Sequence, residues 1–351
     1  VVTPGLFDSF SNMGLAEVGQ VAPSVDAAVN DERWTAAFDI ADAINPRSVL
    51  IPVNRIAGLT RTIVAPNTGK SLIAGEGAVI HLGGDRDYLV RTRVATFASL
   101  GEAGARLAGG SRAAALLRLR EALSDSLDYA AHRAEYDRSQ RRSYSLSRLD
   151  LEALLPVARG ERPLVVTVDR ASDIEAVLRL GREMRLRLIL AQADEGWMVA
   201  KQIAAAHVPV LVKGLDDLPQ SFEQLGATLE NAARLYRAGV TIAFMSADAH
   251  NARNIRQQAG NAVANGLPWD AALAALTSNP ARIWGLSDRL GSLEAGKEAD
   301  VVVWDGDPLE VTSYPTHVFI RGSEMPLRSR QTELRDRYLK RVPPGPAAKQ
   351  P

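Results

Sequence analysis

The stretch Val240–Asn251, with the sequence VTIAFMSADAHN, decides the fold prediction because an apolar run ends abruptly in small residues, a carboxylate and an imidazole. A continuous run of Val, Ile and Phe is typical of a strand buried on both faces, as in a parallel sheet. A (β/α) barrel keeps its active site at the C-terminal ends of such strands, which makes Asp248 the first candidate residue. Asp248 is equally well placed to cap the helix expected from Ala252, because a capping carboxylate accepts hydrogen bonds from free N–H groups. Both interpretations stay open at this point.

Strands and helices alternate outward from this stretch. Four strand–helix units in a row, between Leu164 and Asn265, require parallel strands, since each crossover returns the chain to the same direction. Seven strands are recognisable and an eighth is inferred. The seven are Leu6–Phe10, Thr60–Ala65, Ala78–Leu82, Leu164–Asp169, Leu186–Gln192, Val208–Lys213 and the run that begins at Val240. The predicted fold class is therefore α/β, a TIM-type (β/α)8 barrel with a partial small β-sandwich.

The predicted barrel spans residues 1–290. A short helix is expected at Arg33–Ala43, and a helical insertion around residues 95–160, where apolar residues recur at steps of three and four.

Beyond the barrel, residues 291–325 are predicted to be the remnant of a β-sandwich domain, followed by a C-terminal tail at 326–351. The remnant contains two strands, Ala299–Trp304 and His317–Gly322. Two strands do not make a stable sheet alone, so we expect them to need partners that this chain does not supply.

The composition argues against several classes of protein and of binding site. Forty-one basic and 41 acidic residues leave no net charge, which argues against an electrostatically bound nucleic acid. No apolar run approaches the ~20 residues of a membrane span. The absence of cysteine excludes disulfides and thiolate metal sites. The chain starts at Val1, inside what reads as a strand, and is interpreted as a processed or truncated product, so cytoplasm and periplasm both stay open as compartments.

Three parts of the chain together resemble the amidohydrolase superfamily, and especially its imidazolonepropionase-like branch. They are Val2–Asp8, then Ala247–Asn254 followed by Gly266–Trp269, and finally Thr277–Arg282 running into Gly291–Val303. The resemblance covers nearly the whole chain. It implies a metal-dependent hydrolase of C–N bonds in cyclic amides or peptide-like substrates, and a small β-sandwich whose first strands would precede Val1.

The resemblance also implies a divalent metal, usually zinc, and here the sequence departs from the family. Members carry His-x-His at the end of the first strand, where this chain has Phe10 and Asn12. Phenylalanine has no lone pair to offer, and an amide oxygen is a poor zinc ligand. A later strand would present a histidine where this chain has Thr167 and Asp169, and the next strand ends in Gln192.

Asp248 stands where the family's metal-binding and proton-shuttling aspartate lies, with His250 two residues on. Asp169, Asp248 and His250 are thus at most three candidate ligands. Carboxylates with one imidazole can hold a harder ion, so an altered metal site and no catalytic metal are both open. No cofactor or metal ligand is assigned, and we predict no stoichiometric zinc, since a catalytic zinc keeps three protein ligands plus water.

Two functions compete. In the first, the chain is a hydrolase with an altered or absent metal, in which Asp248 and His250 are catalytic and Asn12, Asp169 and Asn251 bind substrate. Asp248 is then the general base toward water. In the second, the barrel is catalytically silent and binds a small ligand or a partner, because a fold does not fix a function. The expected partner is a small molecule, with no nucleic acid and no membrane, and a homo-oligomer is left open.

Overall fold

The computed structural model describes residues 1–84 and 86–340. The strands are β1 Val2–Pro4, β2 Leu6–Ser11, β3 Leu59–Val64, β4 Ile73–Glu76, β5 Ala78–His81, β6 Leu89–Arg91, β7 Thr96–Ser99, β8 Leu164–Val168, β9 Leu188–Gln192, β10 Val210–Val212, β11 Ile242–Phe244, β12 Val301–Trp304, β13 Pro315–Ile320 and β14 Ser323–Glu324. The helices are α1 Leu50–Arg55, α2 Gly101–Leu107, α3 Arg112–Ala131, α4 Arg133–Asp137, α5 Arg148–Ala158, α6 Ala171–Met184, α7 Ala200–Ala205, α8 Asn231–Arg237, α9 Ile255–Ala264, α10 Trp269–Ala274, α11 Ser278–Ile283 and α12 Arg330–Leu339. Within the described ranges, no helix combines the length and the apolar character that crossing a membrane requires.

The barrel consists of two sheets that meet edge to edge. Strands β7, β8, β9, β10 and β11 are parallel neighbours in that order, and β2 is parallel to β3. Past the end of β11, the Ala247 amide donates to the Phe10 carbonyl at 2.8 Å, and the Asn12 amide donates to the Asp248 carbonyl at 3.3 Å. These bonds join the last strand to the first. The prediction of an α/β barrel is confirmed.

One position in the barrel is filled by an antiparallel segment. Strands β4 and β5 are separated only by Gly77, with β5 antiparallel to β3 and β4 antiparallel to β7. A Cβ at Gly77 would lie 2.4 Å from Phe97, so only glycine permits this close passage. The sequence prediction took Ala78–Leu82 as an ordinary barrel strand and missed Thr96–Ser99, which is parallel to β8 and lies inside the region predicted to be a helical insertion.

Every barrel position contributes apolar side chains to a common interior cluster. Its members include Phe7, Ile63, Val79, Phe97, Val165, Ile189, Leu211 and Ala243. Residues that alternate with them pack outward against the helices in a larger cluster, as the period of two along a strand requires. The interior is therefore a packed core, and an open site is expected at the carboxyl ends of the strands.

The small sheet contains four strands in the order β1, β12, β13, β14. Strand β1 is antiparallel to β12, with Val2 opposite Val303, so the chain itself supplies a partner strand. The expectation that all partners lie outside this chain is therefore wrong. It failed because Val2–Pro4 was read as the entry to the barrel, whereas the barrel strand begins only after Gly5.

An ion network joins the small sheet to the barrel. Arg61 of β3 is 2% exposed; its Nε donates to Asp300 Oδ2 at 2.6 Å and its Nη2 to Glu298 Oε2 at 2.6 Å. A buried guanidinium needs such partners, because an unpaired charge costs several kcal/mol to bury. Arg61 thus connects the barrel strand β3 to the segment that leads into β12.

Two expectations about helices need correction. The predicted helix Arg33–Ala43 is absent except for a 3-10 turn at Ile40–Ala43, because the Asp150 carboxylate accepts from the amides of Thr35 and Ala37 at 3.0 and 2.9 Å and holds the chain open. Part of the expected tail is the helix α12. The tail residues 341–351 lie outside the described residues, and the division into separate domains stays a prediction.

Candidate active site

Polar side chains follow four neighbouring strands where those strands end. Asp169 follows β8 directly, Lys213 follows β10 directly, and Asp194 and Asp248 lie a few residues beyond β9 and β11. Because the carboxyl ends of parallel strands meet at one edge, these groups lie around one mouth of the barrel.

An aromatic pair belongs to the interior cluster of the barrel. The rings of Phe10 and Phe97 meet edge to face, with centroids 5.3 Å apart. Alternation along a regular strand predicts Asp8, Phe10 and Asn12 on one face of β2. The register of β2 against β3 shifts between Asp8 and Ser11, and Phe7 and Phe10 both join the interior cluster, so strict alternation fails here.

Asp248, the first candidate for catalysis, is half-buried. Its Oδ1 accepts from the backbone amides of His250 at 2.7 Å and Asn251 at 3.2 Å. These bonds close a turn just ahead of the 3-10 turn at Ala252–Asn254, whose own N-cap is Asn251. Asp248 thus caps this loop turn and not the helix expected from Ala252. His250 is exposed to solvent.

An open pocket of about 870 Å³ lies beside Asp248 and is lined by Asn12, Asp248 and His250. The Asn12 amide group is oriented by bonds from its Nδ2 to the Ala65 carbonyl at 2.9 Å and to Asn67 Oδ1 at 3.1 Å. The structure therefore brings three of the five predicted site residues together. Asn251 contributes its backbone amide to the Asp248 cap and does not line this pocket.

Asp169 lies in a separate, buried group of polar residues at the same mouth. Its Oδ1 accepts from the Asp194 amide at 3.3 Å, and Gln224 Nε2 donates to Asp194 Oδ2 at 2.7 Å and to Asp169 Oδ2 at 3.4 Å. Burial, with a further contribution from the Asp194 charge, raises the pKa of Asp169 to about 8. Burial, followed by the Asp216 charge, raises the pKa of Asp194 to about 6.

A third carboxyl group, Asp8, lies in β2 and is fully buried. Its Oδ1 accepts from the Phe10 amide at 3.1 Å and the Ser246 amide at 3.0 Å, and its Oδ2 accepts from Ser246 Oγ. The Asp248 amide donates to the same Ser246 Oγ at 3.3 Å. Burial raises the pKa of Asp8 to about 7, so this group, linked to Asp248 through Ser246, changes charge near neutral pH.

Sequence reasoning missed four polar residues of the mouth, namely Asp8, Asp194, Lys213 and Gln224. Asp8 and Lys213 carried a signal, because each is a charged residue inside or at the end of an apolar predicted strand. Asp194 follows a strand by two residues, where a turn carboxylate is ordinary. Gln224 enters from the loop between β10 and α8, which no local pattern predicts.

The residues present do not fit the metal site that the resemblance implies. Phe10 packs against an aromatic ring, and the amide nitrogen of Asn12 is committed to two hydrogen bonds. Among residues 1–84 and 86–340, no group of three or more His, Cys, Asp or Glu side chains is arranged to hold a metal ion. A catalytic zinc site requires three such ligands.

Comparison with protein families and curated proteins gives consistent relatives. The model of the amidohydrolase family matches residues 122–327. The amidohydrolase tasK of Hapsidospora irregularis is 25% identical over 356 residues, which cover 92% of this chain and 36% of that protein. The 5-methylthioadenosine/S-adenosylhomocysteine deaminase of Desulforudis audaxviator (strain MP104C) is 31% identical over 137 residues, covering 33% of this chain and 32% of that protein. This chain spans about a third of the length of these curated relatives.

Solved structures agree with the barrel. The crystal structure of an amidohydrolase from Thermotoga maritima MSB8 matches with a TM-score of 0.84 at 27% identity, over 93% of this chain and 87% of that chain. A prolidase complexed with N-methylphosphonate-L-proline matches with a TM-score of 0.50 at 16% identity, over 92% of this chain and 86% of that chain. At 16% identity, the likeness to the prolidase concerns the fold alone.

Proposed function

We propose, since this chain belongs to the amidohydrolase family, that its barrel mouth hydrolyses a carbon–nitrogen bond in a small cyclic amide or peptide-like molecule. The imidazolonepropionase-like branch named by the sequence resemblance stays a prediction. The observation that carries the proposal is the position of Asp248, which lines an open pocket with Asn12 and His250 at the carboxyl ends of the strands. The pocket volume, about 870 Å³, lies in the range of small-molecule sites.

In the proposed reaction Asp248 is the general base. Its carboxylate takes a proton from water, the water oxygen bonds to the substrate carbonyl carbon, and the proton passes to the nitrogen as the C–N bond breaks. Asp248 Oδ1 is engaged by the amides of His250 and Asn251, which orients the carboxylate and leaves Oδ2 for the water.

The other site residues bind and orient the substrate in this proposal. His250 is exposed at the pocket and is the second catalytic group. Asn12 presents its amide oxygen to the substrate, because its amide nitrogen already donates to Ala65 and Asn67. Asp169 belongs to the buried group of polar residues at the same mouth. Asn251 acts through its backbone amide, which donates to Asp248. No step passes through a metal ion, because the donor set does not fit one.

Turnover of a panel of cyclic amides and dipeptides tests the proposal. Protein treated with chelator should hydrolyse at least one panel member, and added divalent metal should not raise the rate. Asp248→Asn should abolish that turnover, whereas Asp270→Asn, a change of an exposed carboxylate on α10, should leave it intact. Absence of turnover across the panel, with and without metal, would overturn the proposal.

A catalytically silent barrel that binds a small ligand is the second candidate. It is favoured by the capping bonds of Asp248, which give that carboxylate a structural role without any reaction. In that case panel members raise the melting temperature by binding, and none of them is cleaved.

A further inference from the structure

The mouth of the barrel contains a cation of its own. Lys213 directly follows β10, and Leu211, two residues earlier, belongs to the interior cluster, so the period of two turns Lys213 toward the barrel axis. Its side chain is 24% exposed, which is low for a lysine. Its Nζ lies 3.5 Å from Asp216 Oδ2.

The positive charge of Lys213 is felt by three carboxyl groups of the mouth. Asp216 is its neighbour at 3.5 Å, and its charge opposes the rise in pKa that burial causes at Asp169 and Asp194, which are 5% and 3% exposed. Buried carboxylates repel one another at this proximity, so such a group is stable only with a positive charge inside it or with protons on its members. Glu195 and Glu223 add negative charge nearby, but Glu195 accepts from the amides of Ala171 and Gly226, and Glu223 pairs with Arg112.

We propose that the Lys213 ammonium is a built-in counter-ion of the barrel mouth, which balances the carboxylates of Asp194 and Asp216 and so takes the electrostatic place of a metal ion. This counter-ion accounts for a difference between the metal that the resemblance implies and the residues that this chain has at the mouth. The fold belongs to a family for which the sequence resemblance implies a metal, yet the histidine positions hold Phe10 and Asn12, and the carboxyl groups of the mouth are balanced from inside the chain. Lys213 acts through the carboxyl groups and is a positioning residue. The inference does not rest on hydrolysis.

The test compares three versions of the whole chain, treated with chelator, in thermal unfolding with and without millimolar Mg²⁺, Ca²⁺, Mn²⁺ or Zn²⁺. Lys213→Met keeps the length of the side chain and removes its charge, whereas Lys213→Arg keeps the charge and is the matched control. The wild type should show no change with any cation. The Met variant should melt roughly 4–8 °C lower, because it leaves buried carboxylates unbalanced. A divalent cation should restore part of that loss in the Met variant alone, and the Arg variant should melt close to the wild type.

Two outcomes overturn the inference. One is a wild type that divalent cations stabilise as much as they stabilise the Met variant, which would mean that the mouth takes a metal. The other is an equal loss in the Met and Arg variants with no response to cations, which would mean that Lys213 only fills space. If the Met variant does not fold, the double variant Lys213→Met/Asp194→Asn decides. Recovery of soluble, folded protein supports the counter-ion, and failure of both variants overturns it.

Discussion

The two sides of the barrel mouth differ in how their carboxyl groups meet water. On the pocket side, Asp248 is half-buried, His250 is exposed, and both line open space with Asn12. On the buried side, Asp169 and Asp194 are almost fully enclosed and share the amide of Gln224. Burial disfavours the charged form of a carboxyl group, so the pKa of Asp169 and of Asp194 is raised. One mouth thus combines a carboxylate that a substrate can reach with enclosed carboxyl groups that hold their protons more tightly.

The variant Asp248→Asn should have the largest effect and gives the strongest test of this difference between the two sides. As a general base, Asp248 should be worth about 10²–10⁴-fold in kcat/KM toward whichever panel amide is cleaved. Stability should stay within about 0.5 kcal/mol, because asparagine caps about as well as aspartate. Rates and urea unfolding of the variant, beside Asp270→Asn, measure both effects. Unchanged turnover would reduce Asp248 to a cap.

Asp169→Asn should have the next largest effect, and on stability. The pKa of Asp169 is raised from 3.8 to about 8 in the folded chain, so folding takes up a proton between these values. The stability that this group contributes is full below about pH 4 and is lost as the pH rises through about 8. The uncharged variant should match the wild type near pH 4 and exceed its unfolding free energy by several kcal/mol near pH 9.

Urea unfolding at both pH values checks this expectation, with Asp248→Asn as the variant from the pocket side. The difference in unfolding free energy between Asp248→Asn and the wild type should not change with pH in the same direction as that of Asp169→Asn. If the wild type instead became more stable relative to Asp169→Asn as the pH rises from acid to alkaline, the assignment of a buried, protonated carboxyl group would be contradicted.

Gln224→Ala should destabilise the buried side by about 1–2 kcal/mol, because it removes the amide that donates to both Asp169 and Asp194. Gln220→Ala in the same loop is the matched control, since only its backbone amide is engaged, with Gln224 Oε1. Equal unfolding midpoints for the two variants would show that the hydrogen bonds from Gln224 to Asp169 and Asp194 contribute nothing to stability.

The smallest effect is expected from His250→Ala. The side chain is exposed, so the unfolding free energy should move by less than about 0.5 kcal/mol. Turnover should fall by roughly tenfold if the imidazole orients substrate at the pocket. A large loss of stability would place His250 in the packing of the mouth and blur the contrast between its two sides.

The pocket side could be predicted from sequence because its residues lie within a few positions of an apolar run. Asp248 and His250 end an apolar run that only a buried strand explains, and Asn12 ends the first strand. The buried side could not be predicted in full, because Gln224 arrives from a loop that follows a different strand, and the proton affinity of Asp169 arises from burial that no local pattern encodes. The antiparallel segment was missed for a similar reason, since Gly77 permits a close passage against Phe97 that depends on the tertiary fold.

The edge-to-face pair of Phe10 and Phe97 belongs to the apolar interior of the barrel, and both rings are almost fully buried. Rings packed in this way help to hold the surrounding strands closed against solvent, so local opening of these strands is rare. A smaller side chain at either ring would leave a cavity and lower the cost of opening, and deuterium would then enter the backbone amides of the central strands faster.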